Sequence, residues 1–297
     1  MKILITGASG FIGSKVLEFF LKSELAEELY VLSSKKIKNV KRIEAKEYKF
    51  GENYLIENGC EEVDVLLHIG AWTPKSSEYV NNIDKSTENI VNTYNLLKCK
   101  LPFLKKIVYI STLDVYKNEK VITEFTPTIP RTMYACSKLY CENIIKEYCQ
   151  KEGYLYQILR LGHVYGEGEE AYKKVIPTMI RNAIYQKDIN IYGDGKAQRT
   201  FIYIKDVVES IVKSLLLEQS EIINIVGNEN ISISYLAKVI RDISGRKIQI
   251  KYIESDDINQ DYLFDNRKMK KLLLNKFTSL EDGIKNEYQY MESKIRI

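Results

Sequence analysis

The chain reads as an α/β protein built on a doubly wound parallel sheet. Three observations predict this class. Strand-length apolar runs alternate with helix-length segments through the first half. The first run, Ile3-Leu4-Ile5, leads straight into a glycine-rich turn, Thr6-Gly7-Ala8-Ser9-Gly10-Phe11-Ile12-Gly13. Later runs end in small or hydroxyl residues, Gly70-Ala71 and Ser111-Thr112, at the strand edge where open α/β sheets bind ligands.

In that turn Gly7 permits the tight bend, Gly10 lets the backbone approach a pyrophosphate, and Gly13 lets the next helix pack closely on the strand. Ser14 to Lys22 is the predicted helix, with Val16, Leu17, Phe20 and Leu21 on its apolar side. Its N-terminus offers N–H groups and a positive dipole end to phosphates. Strand, turn and helix in this order predict dinucleotide binding; chance glycines in a loop are the bland alternative.

Leu29-Tyr30-Val31-Leu32 is the second predicted strand, followed at its edge by Ser33-Ser34-Lys35-Lys36. An acidic residue here would bond an adenosine ribose 2′-OH, whereas basic residues accommodate a 2′-phosphate. The acid is missing, so the edge favours NADP (as NADPH), with NAD as the alternative. Lys46 to Leu55 is hard to read, with a short third strand expected near Tyr48-Lys49-Phe50. Val63 to Ile69 is a clear strand, whose small end, Gly70-Ala71, lets the backbone lie against the cofactor. His68 reads as a hydrogen-bonded strand-end histidine. Glu88 to Lys98 is a predicted helix with Ile90, Val91, Tyr94 and Leu97 on one face.

Lys106 to Ile110 is the next buried strand. Pro127 and Pro130 punctuate a loop, and Tyr134-Ala135-Cys136-Ser137-Lys138 opens a helix to about Gln150. Tyr134 and Lys138 stand four apart and share one helical face. An ammonium beside a phenol favours the phenolate, which gives a proton donor or acceptor usable nearer neutrality. In a chain with 22 tyrosines such spacing also arises by chance. It gains meaning from Thr112 at a strand end and from the glycine turn upstream.

Gln157 to Leu161 is a strand leading into Gly162-His163-Val164-Tyr165-Gly166. Beyond it the alternation weakens. Val175 to Gln186 is a predicted helix, Tyr192 to Gly195 a turn, and Arg199 to Ile204 a strand, with Asp206 the expected cap of the helix that follows. Asn224 to Gly227 is one more strand, and Ser232–Arg241 and Asp265–Leu274 look helical. Arg199 and Arg267 are phosphate-binding candidates, since guanidinium forks suit that anion; a surface ion pair is the alternative for each.

Bulk properties narrow the class. The 297 residues suffice for one large domain or two lobes. A net charge of +4 set against 44 basic and 40 acidic side chains gives no warrant for nucleic-acid or membrane binding. The five cysteines form no CxxC pair, so no metal site or disulfide framework is expected. The opening apolar run is too short for a signal peptide, and no run is long enough to span a bilayer. A soluble protein of the reducing cytoplasm is the expectation.

Together these residues resemble the extended short-chain dehydrogenase/reductase family, the branch of nucleotide-sugar epimerases, dehydratases and reductases. TGASGFIG at 6–13 is similar to its cofactor loop, and HIGA at 68–71 stands where the family usually has HLAA. Asn89 with Asn92-Thr93 and Asn95-Leu96-Leu97 resembles N-x-x-G-T-x-N-L-L, with Asn92 replacing Gly. STLDVY at 111–116 resembles S-[ST]-x-x-V-Y, and YACSK at 134–138 resembles Y-x-x-x-K. RLGHVYG at 160–166 resembles R-x-x-N-V-Y-G with His163 replacing Asn. GDGKAQRTFIYIKDV at 193–207 resembles the G-x-G-x-x-x-R-D-F-I-x-V-x-D stretch, with Thr200 replacing Asp.

The resemblance implies a Rossmann lobe, 1–165 with 200–227, and a smaller mixed α/β substrate lobe, 166–199 with 228–297. It implies a homodimer through a four-helix bundle containing the Glu88 and Tyr134 helices, and a nucleotide-diphosphate sugar as substrate. Thr112, Tyr134 and Lys138 become the catalytic set. The cofactor would be held by Gly7, Ser9, Gly10, Phe11, Ile12 and Gly13, by Ser33, Ser34 and Lys35, and by Ile69, Gly70 and Ala71. Asn89, Ser111, Leu161 and His163 complete that set with Tyr134 and Lys138. Thr73, Thr112, Asp114, His163, Arg199 and Arg267 would face the substrate.

Departures from the family pattern bear on the reaction. The family's 4,6-dehydratases place an Asp-Glu pair directly after the catalytic Thr; here those positions are Leu113 and Asp114. Leu113 cannot transfer a proton, which disfavours dehydration. A 4-epimerase needs tightly held NAD, whereas a reductase consumes NADPH and exchanges it. The basic Lys35-Lys36 edge and the HVYG variant favour an NADPH-dependent reductase of a nucleotide-linked 4-keto(-6-deoxy) sugar. An NAD-dependent 4-epimerase is the alternative, and a non-catalytic cofactor-binding protein is disfavoured by the intact catalytic set.

Overall fold

A computed structural model describes residues 1–45, 47–255, 261 and 263–295. The chain forms two compact units. The first holds residues 1–117, 127–161 and 208–223; the second holds 118–126, 162–207 and 224–297. The expected lobes place residues 118–126, 162–165, 200–207 and 224–227 on the other side. Strand pairing explains the difference, because His163–Tyr165 pairs with Gln198–Tyr203, and Val121–Ile122 with Leu263–Phe264.

The first unit is built on a seven-stranded sheet: β1 (Lys2–Thr6), β2 (Glu28–Ser33), β3 (Lys41–Glu44), β4 (Val65–His68), β5 (Lys106–Thr112), β6 (Leu155–Leu161) and β7 (Glu221–Ile225). Its order is β7-β6-β5-β4-β1-β2-β3. The pairings from β3 through β6 are parallel. The order turns back at β1, where the chain moves out to β2 and β3 and then returns to β4. This is the Rossmann arrangement, and its switch point lies at the C-terminal ends of β1 and β4. The helices that matter to the site are α1 (Phe11–Lys22), α2 (Ile83–Lys98) and α3 (Met133–Glu152).

β1, β4 and β5 are apolar without alternation because helices cover both faces. Val16, Leu17 and Phe20 form the buried side of α1, but Leu21 is largely exposed. The third strand lies earlier than expected. Lys41-Arg42-Ile43-Glu44 buries only Ile43, whereas Tyr48 and Phe50 spend their rings on an aromatic ladder with Tyr54. Lys46 lies outside the described residues.

α2 starts before Glu88, at Ile83, with the Asn82 side chain accepting the Lys85 N–H at 2.9 Å. Its buried face also differs from the expected one. Ser86, Asn89, Thr93, Leu96 and Leu97 point inward, while Val91 and Tyr94 are exposed. Asn89 and Thr93 face inward because they make the hydrogen bonds described below.

In the second unit, Gln198–Tyr203 runs antiparallel to Asn230–Ser232 and parallel to His163–Tyr165, and Ile189–Tyr192 pairs with Ile250–Ile253. Gly193 and Gly195 form the turn after Tyr192 at positive φ. Asp206 is not a cap. It lies inside the helix Ile204–Ser214, and its carboxylate accepts the Thr278 N–H and hydroxyl at 2.9 and 2.8 Å. Predicted elements shift or shorten at their ends, to Val175–Ile184, Gln198–Tyr203, Glu221–Ile225, Ile233–Ser244 and Arg267–Leu272. Among the described residues no helix is long and apolar enough to cross a membrane, and no group of acidic, Cys or His side chains could hold a metal ion.

Candidate active site

The glycine turn is a cradle in which side chains have no room. Gly7 has φ +73°, and a Cβ there would lie 2.5 Å from the Gly70 nitrogen. A Cβ on Gly13 would lie 2.1 Å from the Gly7 carbonyl oxygen. Gly10 donates its N–H to that same oxygen at 2.9 Å and leaves α1 without a side-chain cap. A helix start presented this way, beside exposed Ser9 and Gly10, fits a pyrophosphate. The residues therefore suit a dinucleotide.

The β2 edge is cationic. Ser33 is buried, and its hydroxyl accepts the Lys35 N–H at 3.1 Å, while Ser34, Lys35 and Lys36 are exposed. Arg42 of β3, which sequence reasoning missed, donates to the carbonyls of Ser33 at 3.2 Å and Ser34 at 3.4 Å. Its guanidinium adds positive charge to this edge, partly offset by Glu44 at 3.6 Å.

Beside the glycine turn, the Thr6 hydroxyl accepts the Gly70 N–H at 2.9 Å and bonds His68 Nδ1 at 2.7 Å. His68 Nε2 reaches the Thr93 hydroxyl at 3.0 Å. Burial pushes the His68 imidazole down to about 3, with a smaller contribution from the Lys138 charge. The ring is neutral at working pH and serves as a brace, as expected for a strand-end histidine. Ile69, Gly70 and Ala71 follow, half-buried along the edge. Asn89, expected to hold cofactor, spends its amide elsewhere: it accepts the Trp72 N–H at 2.7 Å and donates to the Trp72 carbonyl at 3.1 Å and the Ser137 hydroxyl at 3.3 Å.

β5 ends in Ser111-Thr112. The Thr112 hydroxyl donates to the Asp114 carboxylate at 3.1 Å and accepts the Asp114 N–H at 3.2 Å. The first turn of α3 is fixed by the Thr132 hydroxyl, which accepts the Ala135 N–H at 3.1 Å, and by the Tyr134 N–H donating to the Val80 carbonyl at 3.0 Å. Tyr134 is buried, with its ring edge-on to Trp72 at 6.2 Å between centroids. Lys138 donates to the Ile110 carbonyl at 2.6 Å and lies 4.2 Å from the Tyr109 ring centre. Burial brings its ammonium down to about 8.

Glu142 continues this face one turn further, a signal the spacing 134, 138, 142 carries and sequence reasoning passed over. It is fully buried and accepts a fork from Arg160 at 3.0 and 2.6 Å together with the Ser111 hydroxyl. The Ser111 side chain thus faces a structural carboxylate. Leu161 is buried at the end of β6. Thr73 and Asp114 are exposed.

The remaining candidates belong to the second unit. His163 is exposed, with its ring edge-on to Phe201 at 5.9 Å. Arg199 donates to the Gln198 carbonyl at 2.8 Å. Arg267 makes the surface ion pair that stood as its alternative reading, with Asp265 at 2.5 Å.

Comparison with known proteins agrees with this geometry. Residues 3–226 match the model of the NAD dependent epimerase/dehydratase family. The uncharacterized UDP-glucose epimerase YtcB of Bacillus subtilis (strain 168) is 33% identical, over 99% of this chain and 98% of its own. A dTDP-D-glucose 4,6-dehydratase of Dictyostelium discoideum is 31% identical, over 82% of this chain and 62% of its own. The crystal structure of UDP-glucuronic acid 4-epimerase from Bacillus cereus in complex with NAD superposes with a TM-score of 0.83 at 27% identity, covering 99% of both chains. With the glycine cradle, Thr112, Tyr134 and Lys138 carried by one sheet edge and one helix, the chain belongs to the NAD-dependent epimerase/dehydratase family of extended short-chain dehydrogenase/reductase enzymes.

Proposed function

We propose that the protein is an NAD-dependent nucleotide-sugar 4-epimerase acting on a UDP-linked hexose. This departs from the reductase that the sequence favoured. The observation that carries it is the likeness, over essentially the full length of both chains, to proteins described as UDP-glucose epimerase and UDP-glucuronic acid 4-epimerase. The catalytic edge supports it, because Thr112 is followed by the buried, apolar Leu113. An elimination of water needs a proton-transferring side chain that Leu113 cannot be.

Bound NAD supplies the site that accepts and returns hydride. Tyr134 takes the proton of the sugar 4-hydroxyl as the C4–H bond breaks, leaving a 4-keto sugar. It returns that proton after the sugar has presented its other face. The Thr112 hydroxyl holds the reacting oxygen. Lys138, its ammonium anchored on Ile110, supplies positive charge on the Tyr134 face of α3. Arg199 is assigned to the diphosphate.

A second reading, an NADPH-dependent ketoreductase, rests on the β2 edge, where Ser33, Ser34, Lys35 and Arg42 stand without an acid aimed at a ribose 2′-OH. A homodimer through α2 and α3 is part of the proposal. Ile83, Val91 and Tyr94 on α2 and Met133 and Tyr140 on α3 leave apolar side chains exposed on two helices that pack on each other. A cytoplasmic enzyme fits this reading.

Protein purified without added cofactor discriminates the two reactions. An epimerase retains NAD and interconverts UDP-glucose and UDP-galactose, or their uronic acids, without net consumption of nicotinamide. Release of NADPH and consumption of it with a 4-keto sugar would establish the reductase. Tyr134→Phe is expected to lower turnover by about 10²-fold or more while leaving cofactor bound.

A further inference from the structure

The chain has one tryptophan, Trp72. It lies four residues past the end of β4, just beyond Gly70-Ala71. Its backbone is held on both sides. The Asn89 amide accepts its N–H at 2.7 Å and donates to its carbonyl at 3.1 Å. That same amide reaches Ser137 of α3, three residues after Tyr134. One buried side chain thus ties the Trp72 backbone to the helix that carries the phenol. A tie of this kind fixes where an indole starts, and a loop held only by its own turn would not need it.

The ring shows what the tie is for. The indole stands nearly perpendicular to the Tyr134 ring, at 79° and 6.2 Å between centroids. Tyr134 is buried, whereas Trp72 keeps part of its surface open. Edge-to-face contact uses an edge or one face of the indole, so apolar aromatic surface remains beside the phenol. A sugar whose hydroxyl lies within about 3 Å of the phenol oxygen has its own ring within reach of that surface. The C–H bonds on one face of a pyranose present weakly positive hydrogens, and an indole face is the electron-rich partner that suits them.

We propose that Trp72 is a specificity-determining residue of this site, the wall on which the pyranose ring of the nucleotide sugar stacks, with Asn89 as its positioning residue. The inference rests on the nucleotide-sugar reading of the site. Stacking selects for a sugar ring with a flat C–H face and excludes water from the side of the ring next to Tyr134. The nucleoside diphosphate makes no use of it.

The sole indole makes the test direct. Indole emission of the NAD-loaded Tyr134→Phe protein, in which turnover is slow beside binding, is followed while UDP-glucose, UDP-galactose or UDP is added. Binding of each is measured separately by calorimetry. The proposal expects a saturable change in emission with the UDP-sugars and little with UDP. In the otherwise wild-type enzyme, Trp72→Ala is expected to raise KM for the UDP-sugar roughly tenfold, about 1.4 kcal/mol, with a smaller change in kcat. Trp72→Phe should restore most of that loss, and affinity for UDP and NAD should stay within about twofold in both variants.

UDP-sugar binding with no emission change, or equal changes with UDP, would overturn the role of Trp72 while leaving the function standing. Emission that responds to NAD loading and not to the sugar would assign the indole to the nicotinamide and overturn the proposal. Absence of any UDP-sugar binding would overturn both. Equal KM in Trp72→Ala and wild type would also sink the stacking wall, whatever the fluorescence shows.

Discussion

The Lys138 ammonium donates to the Ile110 carbonyl at 2.6 Å, so α3 and β5, the strand that carries Thr112, are fastened together by a buried charge. Burial lowers that ammonium to about 8. Below this pH the charge is present; between about 8 and the ordinary lysine value the fold releases a proton that the unfolded chain keeps. Stability therefore rises with pH across that window, while the positive charge on the Tyr134 face of α3 is lost. The expected result is an alkaline limb in kcat/KM near pH 8. Lys138→Met should lower kcat by about 10²-fold or more and abolish that limb. A variant that keeps the limb would assign it to another group.

The ion pair between Glu142 and Arg160 is buried at both ends. Removing one partner leaves an uncompensated charge, which destabilises by about 3–5 kcal/mol. Glu142→Gln should therefore lower stability strongly in urea titrations. The double replacement Glu142→Met with Arg160→Met should recover a large part of the loss, since it removes the stranded charge. A double variant as unstable as the sum of the two single replacements would show that the two charges are not coupled and would overturn this reading.

What was legible in the sequence divides along one line. The glycine turn, the Rossmann alternation, and the placing of Thr112 at a strand end and of Tyr134 and Lys138 on one helix follow from local order and spacing, so they could be read directly. Side chains that act through space could not. Arg42 sits on a strand whose position was misjudged, because one buried Ile43 is a weak signal beside the aromatic Tyr48 and Phe50. Asn89 could be placed on its helix, but not its bond to the Trp72 backbone across 17 residues. The α2 face was misread because Ser86, Asn89 and Thr93 count as polar in any pattern, yet they are buried. Asp206 carries the composition of a cap, and only the chain's return at Thr278 shows why it lies inside a helix.

Glu287 supplies the last expectation. It is fully buried in the helix Leu280–Ile295, and neither carboxyl oxygen makes a hydrogen bond of ordinary geometry. Burial, with the nearby charges of Glu169, Glu167 and Glu170, raises its carboxyl to about 9, against slight relief from the Gly166 backbone. Between the ordinary carboxyl range and about 9, the folded chain holds a proton that the unfolded chain has lost. Stability then falls as pH rises, by up to about 1.4 kcal/mol per pH unit. Glu287→Gln presents a similar shape that never ionises, so it should be more stable than wild type at neutral and alkaline pH. The gain should shrink toward zero near pH 4 and level off above about 9. Chemical denaturation of both proteins across that range checks it, and a difference independent of pH would mean that Glu287 does not carry the proton.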